Sequence, residues 1–494
     1  MKANLYLSLF LAGVLSIGLA ACDLFDPRNA ENPNVSTDGF LNLENSAELW
    51  VEGLERQMTI SLNNSALDTG DGYITAAEIA SDNYVNTKTF FNQFMDNLVI
   101  DFTDDDIEGA LFSLADLRES AEFGLSTIVP SDPEANADDV AGISFFRGMA
   151  SLLTGELFHL APADSAGPVV GSDVQFQTAV NAFSDAISQT TNEDDRTGYL
   201  IARARAYRML GDRANARADA EAAIAGNTAY VRFTIHDFTN GPNNDIQDAI
   251  FDRGTFDDLQ PLPRLDFLDP KYFNTAKPNL RGDDEDSDIA YVKSEEAYLI
   301  LAEVQAAESD IAGAQATLKL LLEVVDSRPM ERLSDINEGR TDAAPGSRPN
   351  TPDWAVSASA ADPMIDGLVL SRVDEVNLPI ISGTSVSDAT IDAVASQDEV
   401  LELIYLMRQE IFIAEGRRMT DLGVKWPVPK DEVTSNVNIN EGDPATLSLV
   451  PDFLPATEMD AFTMDEATKE VVITHNLNKL LVQNKASEHV LPFF

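Results

Sequence analysis

The sequence predicts a mostly α-helical frame of paired helices carrying two large loop-rich insertions, and three observations lead there. Apolar residues recur at helical spacing along much of the chain. The best-marked helices come in pairs joined by tight turns. Two stretches without helical period, 226–289 and 327–396, interrupt them and hold prolines such as Pro242, Pro261, Pro263, Pro329, Pro349 and Pro352. Helices are expected near 44–62, 74–84, 105–128, 137–160, 174–189, 196–209, 212–225, 290–308, 311–326 and 397–416.

The first element is an export signal. Lys2 is followed by a mostly apolar run from Leu5 to Leu19, and the run ends in Leu19-Ala20-Ala21-Cys22. Small residues before a cysteine fit a lipoprotein cleavage site, so 1–21 is expected to be removed and Cys22 to carry lipid. Cys22 is the only cysteine in the chain, which leaves neither a disulfide nor a thiol site in the mature protein. Residues 22–38, rich in Asp, Asn and Pro, are expected to tether the lipid to a folded region at 39–494.

The clearest helix pair is Tyr199 to Ala225. Tyr199, Ala202, Ala206 and Met209 form one stripe, Gly211-Asp212 breaks the chain, and Ala216, Ala220, Ala223 and Ile224 form the facing stripe. Small alanines let two antiparallel helices approach closely. The pair looks like a tetratricopeptide repeat. A second copy is expected at 291–326 and a third at 143–187, which places helical repeats near 143–225 and 290–326. These are not contiguous, so a regular solenoid is not expected. A repeat frame with insertions is. Long loops on such a frame suit a binding face. The tail, 427–494, mixes prolines with short β-like runs such as Val471-Val472-Ile473.

The formal charge is −50, from 83 acidic against 33 basic residues spread along the chain. Such a field repels nucleic acid and anionic lipid surfaces. Dispersed rather than clustered, it fits a surface adapted to high salt better than a site for cationic ligands.

Four stretches in order resemble the SusD/RagB family of outer-membrane nutrient-binding lipoproteins. They are the lipidation signal with its tether; Phe145 to Leu153 running to Phe158 and Gly167-Pro168-Val169-Val170; Ser294-Glu295-Glu296 through Leu299, Ala302 and Glu303; and Arg408 through Glu415-Gly416-Arg417-Arg418-Met419-Thr420-Asp421-Leu422, followed by Trp426-Pro427-Val428-Pro429. Where the family often closes the third stretch with an Asn and an Arg, only Arg328 is present. The resemblance implies a tetratricopeptide-like, SusD-like fold over essentially the whole mature chain. It also implies capture of a nutrient oligomer, glycan or peptide, at the outside of the outer membrane. The implied partner is a TonB-dependent transporter of the SusC type, with no cofactor and no reaction catalysed. A lipid-anchored hydrolase and a repeat-based scaffold for membrane-protein assembly are the alternatives.

Chemistry-bearing motifs give little to a hydrolase. Glu415, Arg418 and Asp421 crowd together, and the reading preferred here is an ion-paired helix end, with Gly416 as the terminator and Arg418 bridging the two carboxylates. Asp283 to Asp288 reads as a solvated acidic turn rather than a calcium loop. The four histidines lie far apart, and no phosphate-binding or serine-nucleophile motif occurs. Aromatic residues are the better ligand signal, because flat rings stack on sugar faces. Tyr84, Asn86 and Phe90 lie in a loop that the resemblance implies lines the ligand site, with Tyr272 in the first insertion and Trp354 in the second. Any of these rings could serve the core instead. Trp354 has polar and proline neighbours that offer it little local packing.

Overall fold

A computed structural model describes residues 37–63, 72–86, 93–104, 107–237, 240–247, 249–250, 259–269, 271, 287–334, 348–371 and 374–494. Nine longer helices build the frame: α1 (Ser46–Leu62), α2 (Glu108–Phe123), α3 (Ala137–Leu157), α4 (Ser172–Gln189), α5 (Glu193–Met209), α6 (Arg213–Gly226), α7 (Ser294–Ala307), α8 (Ile311–Ser327) and α9 (Gln397–Ile411). Their starts are written in the sequence. Asn136 caps α3 through a capping box with Asp139, Asn192 caps α5, Asp212 caps α6, and Ser396 caps α9 in a second box with Glu399. Gly211 makes the α5–α6 turn at φ +69°, where a side chain would also press on the Pro492 carbonyl.

The three expected helix pairs all form, as α3–α4, α5–α6 and α7–α8, and they pack in one continuous stack with α4 against α5 and α6 against α7. In the middle pair Ala202, Ala206, Ala216, Ala220 and Ala223 are buried, as the two alanine stripes predict. Helices α1 and α2 pack on the α3 end, and α9 packs on α7.

Short strands explain how the stack stays continuous across its interruptions. The early loop starts with β1 (Tyr84–Asn86). The break between α3 and α4 is closed by β2 (Leu160–Pro162) against antiparallel β3 (Val169–Gly171). The first insertion leaves along β4 (Val231–Phe233), sends β5 (Leu259–Pro261) to pair antiparallel with β1, and returns along β6 (Ala290–Lys293), antiparallel to β4. The second leaves along β7 (Met330–Ser334), contributes β8 (Ala355–Ser357) and β9 (Ile365–Asp366), and returns along β10 (Glu375–Pro379), antiparallel to β7. Each interruption is thus pinched at its neck. The two ends stay one strand spacing apart, about 5 Å, and successive helices still meet as neighbours. The tail folds into the hairpin β11 (Phe462–Asp465) and β12 (Glu470–Ile473), and β12 runs parallel to β8. The β-like run at 471–473 therefore ties the second insertion to the end of the chain.

Two helix ends fall short of expectation. The helix expected over 74–84 stops at Ile79, because Tyr84 to Asn86 extend to pair with β5. The one expected over 397–416 stops at Ile411, because Ala414 (φ +61°) and Gly416 (φ +65°) turn left-handed. Among the described residues no helix is long and apolar enough to cross a membrane.

Candidate functional site

Two of the rings predicted to meet a ligand are core residues. Tyr84 is 0% exposed and Trp354 1% exposed, and both belong to the main hydrophobic core. The expectation that they present a face to a ligand is corrected on that ground, since a ring with no exposed face cannot stack without moving. Trp354 has few apolar neighbours in sequence, but the turn just before β12, at the far end of the chain, covers it. The Lys469 ammonium lies 4.6 Å from the indole centroid, and Ala355 N–H donates to the Lys469 carbonyl at 2.9 Å. Phe90, Tyr272, Cys22, the acidic run Asp283 to Asp286 and the side chain of Asn86 lie outside the described residues.

The Glu415–Asp421 stretch is structural, with partners other than those expected. Arg418 bridges neither Glu415 nor Asp421. It donates to Asp82 (3.0 Å) and Asn478 (2.9 Å). Asp421 takes two hydrogen bonds from Arg408, both at 2.9 Å. Glu415 accepts from Lys271 (2.7 Å) and Lys293 (2.6 Å). The 294–303 stretch behaves alike: Glu295 pairs with Arg328 at 2.8 Å, Glu296 with Arg417 at 3.0 Å, and Glu303 with Arg208 at 2.7 Å. Arg205 reaches Glu156 at 2.7 Å. These groups are all buried. Such pairs cost desolvation but fix one arrangement, since an unpartnered buried charge is far worse. Much of the scarce basic complement therefore sits inside, which leaves the exterior still richer in acid than composition suggests.

Glu78 is a member with its own behaviour. It is fully buried beneath the left-handed turn, accepting from Gly416 N–H (2.7 Å) and Asn83 Nδ2 (2.7 Å). Burial pushes its carboxyl up to about 7, outweighing these donors. The Asn83 Oδ1, buried without a hydrogen-bond partner, gives the protonated form an acceptor if the amide turns over. Between the ordinary glutamate range and about 7 the folded chain holds a proton that the unfolded chain has released. Raising the pH across that window removes it and costs stability. Lys271, pushed by burial down to about 7, acts in the opposite sense, but only above that pH. The melting temperature is therefore expected to fall between pH 5 and 7, and to fall less in Glu78→Gln, whose amide can donate to Asn83. Thermal melts of both proteins across the window decide it, and parallel pH profiles would remove Glu78 as the cause.

Two small spaces lie between side chains, one walled by Tyr73, Arg205, Tyr291, Glu415 and Arg417 and the other by Asp82, Arg264, Gln409, His475, Asn476 and Asn478, each with about 10 Å³ of room. That is on the order of one water molecule, far too little for an oligomer. An open face is the better candidate. Downstream of β1 stands Phe94, which at 54% is the most exposed Phe, Tyr or Trp ring among the described residues. Sequence reasoning passed over it. Its one signal is the Phe94–Val99 spacing, which is that of the two apolar residues bracketing a helix stop.

No family model and no curated protein matches the sequence. Solved structures do match its fold. A SusD-like protein from Bacteroides fragilis is 11% identical, with 84% of this chain and 100% of that one covered and a TM-score of 0.54. A laminarin-binding SusD-like protein is 12% identical, covering 81% and 99%, with a TM-score of 0.53. A SusD-like carbohydrate-binding protein from Bacteroides fragilis is 12% identical, covering 83% and 94%, with a TM-score of 0.50. The chain has the helical SusD-like fold.

Proposed function

We propose that this chain is a lipid-anchored outer-membrane protein that binds an oligosaccharide at the cell surface, leaves it chemically unchanged, and hands it to a TonB-dependent transporter. The observation that carries the reading is the fold, similar over more than four fifths of the chain to proteins described as binding laminarin and carbohydrate. Two features support it. The Leu19-Ala20-Ala21-Cys22 stretch fits a lipidation signal ahead of an Asp/Asn/Pro-rich tether. The necks of both insertions are pinned by strand pairs, so loops can be shaped for a ligand without disturbing the helical frame.

The test is purification from membranes of cells carrying either the parent chain or Cys22→Ser. The parent is expected in the outer-membrane fraction with a β-barrel transporter, and it should retain polysaccharide on an affinity gel without shortening it. Cys22→Ser should appear in the soluble fraction and still bind. Shortened polysaccharide would make the protein a hydrolase. Membrane proteins captured without any polysaccharide binding would make it a scaffold.

A further inference from the structure

The first described residues lead into an aromatic surface. Phe40, on the short helix Thr37–Leu41, meets Trp50 of α1 edge to face with ring centroids 5.7 Å apart, and Trp50 meets Phe123, the last residue of α2, at 5.5 Å. Leu43 sits on the turn that its own N–H closes onto the Phe40 carbonyl at 3.0 Å. Leu43 is 39% and Phe123 38% exposed, and Phe40 and Trp50 are half-buried. The row of rings is fixed from within. The Trp50 indole N–H donates to the Ser120 carbonyl at 2.9 Å, and the indole lies over Gly124, where a Cβ would come within 2.8 Å of it. The one polar atom among these four side chains is thus spent inward, and what the row turns outward is hydrocarbon.

This surface is the part of the fold next in sequence to the expected anchor. Even a fully extended chain from Cys22 to Thr37 spans at most roughly 50 Å. A lipid on Cys22 therefore keeps the α1–α2 end of the stack close to the bilayer, whereas α8 is reached only through the helices from α3 to α7. Charge narrows the kind of surface. Between Thr37 and Leu62, Asp38, Glu44, Glu48, Glu52 and Glu55 stand against Arg56 alone, so nothing in this segment draws in an anionic headgroup.

We infer that Phe40, Leu43, Trp50 and Phe123 form an apolar foot that rests in the lipid surface to which Cys22 is anchored, among uncharged or zwitterionic headgroups. The inference rests on the lipid-anchored reading proposed above. A tether fixes distance but leaves the fold free to turn, and a second contact sets which face looks away from the membrane. Aromatic rings suit that depth, at the boundary of headgroup and acyl chain. The four side chains expose a few hundred Å² at most, well short of the roughly 800 Å² per partner of a stable protein interface. Weak by itself, the contact becomes intramolecular once the lipid is in the bilayer.

The chain carries its own reporter. Of its three tryptophans, Trp354 and Trp426 are 1% and 0% exposed, so a quencher carried by lipid reaches Trp50 alone. The lipidated mature protein, reconstituted on phosphatidylcholine vesicles, is expected to lose tryptophan emission to brominated phosphatidylcholine. Trp50→Phe should abolish that loss. Leu43→Ser with Phe123→Ser should remove most of it while leaving the melting curve unchanged. With Cys22 acylated, Phe123→Cys supplies the only thiol, and a polarity-sensitive dye on it should shift to the blue on vesicles. The same dye on Leu320→Cys, 50% exposed on α8, should not. Phosphatidylglycerol in the vesicles should weaken the quenching at about 0.15 M salt, and about 1 M salt should restore it. Retention on vesicles with Trp50 unquenched, a dye at Phe123→Cys that does not shift or shifts no more than at Leu320→Cys, or stronger quenching on phosphatidylglycerol overturns the foot. A shift that requires a transporter barrel in the membrane, and is absent on lipid alone, assigns the row to a protein partner and overturns it too. Failure of the parent to stay on vesicles at all refutes the lipid anchor instead, so the two failures are distinct.

Discussion

Asp421→Ala is expected to destabilise the protein by about 3–5 kcal/mol, the range for stripping one partner from a buried ion pair. The geometry makes it the most exposed point of the charged interior to such a test. The Asp421 and Arg408 side chains are 2% and 1% exposed, joined by two 2.9 Å hydrogen bonds, and the Arg408 Nη1 already lacks a partner. Arg208 leans on the same carboxylate at 3.7 Å but keeps Glu303. Removing Asp421 leaves Arg408 a full charge, dry, with the Phe412 ring 5.5 Å away and the field of the Glu296 carboxylate, already paired with Arg417, to ease it. Replacing both partners, as Arg408→Met with Asp421→Leu, removes the desolvation cost with the attraction and should recover most of the loss. Denaturant midpoints at constant m measure both. A single mutant within about 1 kcal/mol of the parent would show that water reaches Arg408 and that the network is not dry. The pair also has an acid signature. The Asp421 carboxyl is held below its usual range chiefly by Arg408 and Arg208, against the opposing effect of burial. Its contribution is present above the ordinary aspartate range and is lost as pH falls through the depressed value.

The helices were legible because each has to bury a stripe against a neighbour, and that demand writes a period into the residues themselves. The Tyr199–Met209 and Ala216–Ile224 stripes meet where the spacing puts them. Partners were not legible. Arg418 reads as a bridge between Glu415 and Asp421, both three residues away, yet the left-handed turn at Ala414 and Gly416 rotates it toward Asp82, on a loop more than three hundred positions upstream. Charge carries no address, so a sequence gives the supply of acids and bases but not their pairing. The insertion necks were hidden for a related reason. Strands of three to five residues hold too few side chains to show alternation, and pairing across a long loop leaves no local mark. The site suffered most. A ring among prolines and polar residues reads as surface, and whether a distant strand covers it is decided by tertiary structure alone. Phe94 failed the other way: a lone aromatic in a short helix gives no hint that its ring stands 54% exposed.

Trp354→Ala separates the two readings of the second insertion, and the buried placement sets its outcome. Loss of the ring should cost about 3–5 kcal/mol, as for other buried aromatics cut to alanine, while glycan affinity measured on the folded fraction stays at the parent value. The ring stands just before β8, which is held parallel to β12 through Val356 opposite Val471 and Ser357 opposite Val472. Emptying that space removes contact from both strands and from the Lys469 side chain that covers the indole, so the insertion should loosen from the tail as well as lose stability. Trp354→Phe discriminates further. The indole N–H is buried without a hydrogen-bond partner among the described residues, so a phenyl ring forfeits volume but no hydrogen bond, and it should restore more than half of the loss. Limited proteolysis of the second insertion should follow the same order, fastest in the alanine variant. A Trp354→Ala protein that melts with the parent yet loses glycan affinity would put the ring in the ligand, and would require the β8–β12 contact to open when sugar binds.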